Sequence, residues 1–72
     1  MTNHKQNITE IEDMHQTGNS HHLEETFNYF EQEINEGNQI ILVRRPENAP
    51  EETVDVIRSI QDLNRYREKY LS

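Results

Sequence analysis

The run Ile40-Ile41-Leu42-Val43 constrains the fold of this chain more than any other segment. It is an unbroken series of β-prone apolar residues with Gly37 before it and Pro46 after it, which predicts a strand over residues 39–45. Side chains alternate along a strand, so Ile40 and Leu42 point to one face and Ile41 and Val43 to the other. Apolar residues on both sides imply that both faces are covered. A covered strand also needs partners for its N–H and C=O groups, and no other segment has a convincing strand pattern. Three arrangements meet that need. The strand pairs with its own copy across a two-fold axis, it adds to the sheet edge of another protein, or it is a buried extended connector in a mostly helical fold. We adopt the first, which predicts a homodimer through strand 39–45.

Two helices flank the strand. Leu23, Phe27, Phe30 and Ile34 recur at spacings of four, three and four, and predict a helix over about 21–36 with one buried face. Ser20 is the expected N-cap and Gly37-Asn38 the stop. A second helix is expected over about 50–70. Pro50 suits its first turn together with Glu51, Glu52 and Asp55, and Val56, Ile57, Ile60, Leu63, Tyr66, Tyr70 and Leu71 cover about half of its circumference. The expected class is therefore α+β, a helix–strand–helix unit over 20–72 completed by a second chain.

Residues 1–19 hold only Met1, Ile8, Ile11 and Met14 as apolar residues, and are expected to be a mobile tail, either disordered or a short helix ending near Gly18; the alternative is a segment that folds against the main body or a partner. The remaining core is thin. With 72 residues and no cysteine, the chain cannot use disulfides to make up the deficit, which favours oligomerisation.

Charge adds an orientation. The net charge is −7, and Glu31, Glu33 and Glu36 load the end of the first helix where its dipole favours cations. Arg65, Arg67 and Lys69 suit the end of the second helix. Helices running parallel around one strand would bring the two groups together.

The same composition argues against several functions. Acidity disfavours direct binding to nucleic acid or to an anionic membrane. No apolar run approaches the ~20 residues that span a bilayer, and no apolar stretch follows Met1–Lys5, so a cytoplasmic location is expected. His4, His15, His21 and His22 lack the spacing of a zinc site, Ser20 beside His21 has no triad geometry, and Gly18 and Gly37 stand alone rather than in a phosphate loop. No enzyme activity, cofactor or metal is expected. The candidate protein-interface residues are Ile40, Ile41, Leu42, Val43, Arg44 and Arg45 of the strand, together with Tyr29, an aromatic lying off the buried helical stripe. The expected function is that of a small acidic regulator or inhibitor that binds another protein. The alternative is an acidic mimic that occupies a nucleic-acid-binding surface of its target.

Overall fold

Short polar residues and glycine decide where the helices start and stop. The computed structural model describes residues 3–71. The Asn7 side chain accepts from the Thr9 amide at 3.0 Å and caps α1 (Ile8–Gln16). Beyond Gln16 the chain turns through Gly18, whose φ is +72°. The Gly18 amide donates to the His15 carbonyl at 3.2 Å and the Asn19 amide to the Met14 carbonyl at 2.9 Å, the paired bonds of a Schellman ending. The turn leaves Asn19, rather than the expected Ser20, as the cap of α2 (Ser20–Asn35), its side chain accepting from the His22 amide at 3.2 Å. The same ending recurs at Gly37, with φ +90° and its amide 3.0 Å from the Ile34 carbonyl, while Asn38 bonds the Glu33 carbonyl at 2.9 Å.

The predicted strand is present as β2 (Gln39–Arg44). It lies in the middle of a three-stranded sheet, with β1 (Asn3–Asn7) parallel on one edge and β3 (Glu52–Ile57) antiparallel on the other. Both of its hydrogen-bonding edges are therefore filled within the chain. This corrects the expectation that strand 39–45 pairs with a second copy, and it equally removes this strand as an addition to another protein's sheet.

The N-terminal segment supplies one of those partners. Asn3-His4-Lys5-Gln6-Asn7 has no β-branched residue, and its strand form follows from docking on the open edge of β2. Ile8 and Ile11 of α1 then enter the core at 6% and 0% exposure. Residues 3–16 are thus built into the fold: the short helix ending near Gly18 is found as α1, and the segment is not a disordered tail; residues 1–2 of that segment and Ser72 lie outside the described residues.

The expected helix over 50–70 is divided. Its first part is β3 and only α3 (Ile60–Leu71) is helical. Thr53, Val54, Val56 and Ile57 are β-branched, and pairing them with β2 satisfies a strand that has an apolar side chain at every central position. Ser59 then starts α3, its Oγ accepting from the Asp62 amide at 3.2 Å while the Asp62 carboxylate accepts from the Arg58 amide at 3.2 Å.

The fold is α+β, three helices with a three-stranded mixed sheet. Ile40, Leu42 and Ile57 project from one face of the sheet into a core completed by Ile8, Ile11, Leu23, Phe27, Phe30 and Leu63. All three helices contribute to that one layer. Met14, Ile34, Tyr66, Tyr70 and Leu71 pack around it, partly buried.

The helices α2 and α3 run antiparallel, not parallel. The Arg67 guanidinium reaches the Phe27 carbonyl, the Asn28 side chain at 3.1 Å and Glu31 at 3.8 Å, whereas the Tyr70 ring lies 6.5 Å from Phe27 and Leu71 lines a surface depression together with Ser20 and Leu23. Inserting β3 between β2 and α3 reverses the last helix. Of the pairings expected between the two charged helix ends, Glu31 with Arg67 is formed.

Candidate functional site

The helix layer carries a groove of about 560 Å³ between α1, α2 and the edge strand β1. The Schellman turn at Gly18 folds α2 back along α1, and the core residues Ile11, Leu23 and Phe27 hold the pair together. What remains between their outward faces is lined by Glu10, Asp13 and Met14 of α1, His22, Glu25, Thr26 and Tyr29 of α2, and Gln6 of β1. Glu10, Asp13, Glu25 and Tyr29 are exposed, so the groove is open to a partner. Its charge is one-sided. The Gln6 amide donates to Glu10 at 2.7 Å, and Glu25 lies 3.0 Å from His21, but neither Lys nor Arg lines it.

This asymmetry belongs to the sequence as a whole. From Gln6 to Val43 there is no Lys or Arg, while Glu10, Glu12, Asp13, Glu24, Glu25, Glu31, Glu33 and Glu36 all fall within that stretch. Lys5 on one side and Arg44 and Arg45 on the other bound this cation-free interval. The cation-free interval was the signal available for the groove residues Glu10, Asp13 and Glu25.

Tyr29 sits at the rim, 46% exposed. Its hydroxyl donates to Glu33 at 3.3 Å and its ring meets His4 edge-on at 5.3 Å. Desolvation and the neighbouring Glu33 carboxylate raise its phenol above the ordinary range. Among the other expected interface residues, Ile40, Leu42 and Val43 are fully buried and Ile41 is half-buried. Arg44 and Arg45 are exposed but paired. Arg44 donates twice to Glu12 of α1, at 3.1 and 3.3 Å, and this hydrogen bonding raises its pKa. Arg45 bonds Glu51 at 3.1 Å, and Glu51 also accepts from Lys5 at 2.9 Å. The Lys5 hydrogen bond, with that of Arg45, holds the Glu51 carboxyl below the usual range. The structure therefore brings Tyr29 to the groove and holds Arg44 and Arg45 in ion pairs elsewhere.

A second depression, of about 210 Å³, lies between β3 and α3 and is lined by Asp55, Val56, Asp62, Arg65, Tyr66 and Lys69. Tyr66 donates to Asp55, which also accepts from the Val56 amide at 2.8 Å. The Tyr66 bond, then the Val56 bond, lowers the Asp55 carboxyl, whereas burial and the Asp55 bond push the Tyr66 phenol up. The two values are driven apart around neutrality, so the carboxylate stays ionised and the phenol protonated. That suits a clasp between strand and helix better than a proton-transfer pair, which works best near the operating pH.

Among the described residues, no group of three or more His, Asp or Glu is placed to hold a metal ion, and no helix is long and apolar enough to cross a membrane. Comparison with family models, with curated proteins and with solved structures finds no match to this chain.

Proposed function

We propose that this chain is a small, acidic, non-catalytic interaction module of the cytoplasm. It acts as a regulator or inhibitor by receiving a Lys- or Arg-rich segment of another protein in the α1–α2 groove. The observation that carries this reading is the groove itself, an open, shallow surface lined by Glu10, Asp13 and Glu25, with Met14 and Tyr29 available for apolar contact. A cationic segment with one apolar anchor complements it in charge and in surface type. The charge separation along the chain also favours the narrower reading that the partner surface is one that binds nucleic acid, because such surfaces are clustered Lys and Arg.

The test titrates a synthetic Lys- and Leu-containing peptide into the protein and follows backbone amide shifts. Shifts should concentrate on Gln6, Glu10, Asp13, Glu25, Thr26 and Tyr29. Joint replacement Glu10→Gln, Asp13→Asn and Glu25→Gln should abolish them, and raising salt should weaken binding as the screening length falls below ~10 Å. Shifts scattered over the surface, or unchanged by the triple replacement, would refute the groove. For a captured natural partner, competition by DNA separates the narrower reading from the general one.

A further inference from the structure

The sheet has two outer edges. Among the described residues, β1 and β3 each have a ladder partner on one side only. A strand with a free edge presents a row of N–H and C=O groups to any extended chain that can reach it. The β3 edge is interrupted. Its register with β2 slips between Leu42 and Val43, leaving Val54 as an extra residue, and the Asp55 side chain accepts from the Val56 amide at 2.8 Å. The β1 register runs unbroken from Asn3 to Asn7, without proline. Lys5, a residue type that commonly guards an edge, is drawn to Glu51 at 2.9 Å.

The β1 edge also adjoins the acidic groove. His4 and Gln6 alternate with Lys5 and share the side of the core residues Ile40 and Leu42. His4 meets the Tyr29 ring of α2 edge-on at 5.3 Å, and Gln6 bonds Glu10 of α1 at 2.7 Å. Gln6 and Tyr29 both line the α1–α2 groove. An extended segment lying beside β1 would turn every second side chain to that side of the sheet.

We propose that β1 is a strand-addition edge, and that the cationic partner segment assigned to the α1–α2 groove binds there as an added strand. The inference rests on the groove reading and gives the partner its conformation: extended, with Lys or Arg at alternate positions. Charge selects the side chains, because Glu10, Asp13 and Glu25 line the groove and neither Lys nor Arg does. Length selects their spacing. His22 and Tyr29 are seven residues apart on α2, ~10 Å at 1.5 Å per residue. Alternate side chains of a strand are ~7 Å apart, so two of them fit along that wall. Main-chain bonds to β1 supply affinity and the alternate side chains supply specificity.

The test keeps the protein intact and varies the probe, a seven-residue peptide alternating Lys with Thr. Two further versions are N-methylated, one on the Lys amides and the other on the Thr amides. In a strand these two sets face opposite edges. Methylating the set that faces β1 removes main-chain hydrogen bonds and should weaken binding by roughly tenfold or more, while methylating the other set leaves binding intact. Amide shifts should fall on residues 3–7 together with Glu10, Asp13, Glu25 and Tyr29, with cross-strand contacts between peptide and β1. If both methylated peptides bind like the parent and shift the groove residues, the groove reading stands and strand addition is overturned. Equal loss from both sets overturns it as well, since that reports the peptide's own conformation rather than one paired edge. Tighter binding by a peptide with Lys at every fourth residue, helical when bound, overturns it in favour of a helical partner. Absence of shifts at both β1 and the groove overturns the two readings together.

Discussion

Replacement of Ile11 by Ala is the sharpest probe of how this fold is held together. Ile11 lies in α1, within a segment whose composition is that of a tail, yet its side chain is 0% exposed and packs in the core with Leu23, Phe27, Phe30, Ile40 and Leu42. Deleting the outer carbons of a fully buried Ile removes transfer energy and leaves a cavity, at a cost of about 2–5 kcal/mol. A chain of 72 residues has a total stability of only about 4–11 kcal/mol. The substitution should therefore remove a large share of it and lower the melting temperature by about 10 °C or more, at about 4–8 °C per kcal/mol for a domain of this size. Urea denaturation followed by circular dichroism measures the loss directly, and an unchanged slope would show that both proteins unfold the same surface. Glu10→Ala, one residue away and exposed, should be close to neutral. A loss below about 0.5 kcal/mol for Ile11→Ala would mean that α1 is not docked, and would refute the reading of residues 3–16 as part of the fold.

Other outcomes follow from the same structure. Gly37→Ala meets open space, so its cost is the left-handed backbone alone, and chemical denaturation should show a loss of about 1–2 kcal/mol. The Arg44–Glu12 pair is 44% and 37% exposed, and a double-mutant cycle should give a coupling under about 1 kcal/mol; a value well above 2 would contradict the view that it is a surface pair. Asp55 and Glu51 have carboxyls lowered in the folded state, so their contribution is complete above the unfolded values of about 3.9–4.3 and is lost as pH falls through the folded ones. The urea midpoint should fall below about pH 4, less steeply in Asp55→Asn, and an identical acid profile in that variant would count against the Tyr66 clasp.

The parts of the fold legible in the sequence are those whose own residues carry the signal. The stripe Leu23, Phe27 and Phe30 is buried as its spacing requires, and Gly18 and Gly37 each end a helix. The strand 39–45 is found almost to the residue. What escaped is what depends on that strand. The segment Asn3–Asn7 is polar throughout, and only the vacant edge of β2 makes it extended. Residues 52–57 satisfy two periods at once: Val56, Ile57 and Ile60 suit a helical face, while Val54 and Val56 alternate as in a strand. Pro50, Glu51 and Glu52 tip the local balance toward a helix start, and pairing with β2 overrides them. The candidate groove escaped for a different reason. Its residues have no motif, and their meaning lies in the cations missing between Gln6 and Val43.

Insertion of β3 affects electrostatics beyond its own six residues. A direct passage from β2 into the last helix would leave α2 and α3 parallel, with both negative dipole ends together. One added strand reverses α3. Its C-terminal residues Tyr70 and Leu71 then lie near the start of α2, and its first turn is carried toward the acidic end of α2. Of the acids on that half of α2, Glu31 meets the Arg67 guanidinium at 3.8 Å, whereas Glu33 accepts from Tyr29 and Asn38. Arg65 and Lys69, no longer directed to those acids, turn to the depression beside Asp55 and Asp62, where Arg65 lies 3.6 Å from Asp62. The seven basic residues lie on β1, at the strand ends and on α3; Arg44 and Arg67 reach Glu12 and Glu31, and the α1–α2 groove is lined by neither Lys nor Arg. The acidic groove itself follows from the absence of Lys and Arg between Gln6 and Val43.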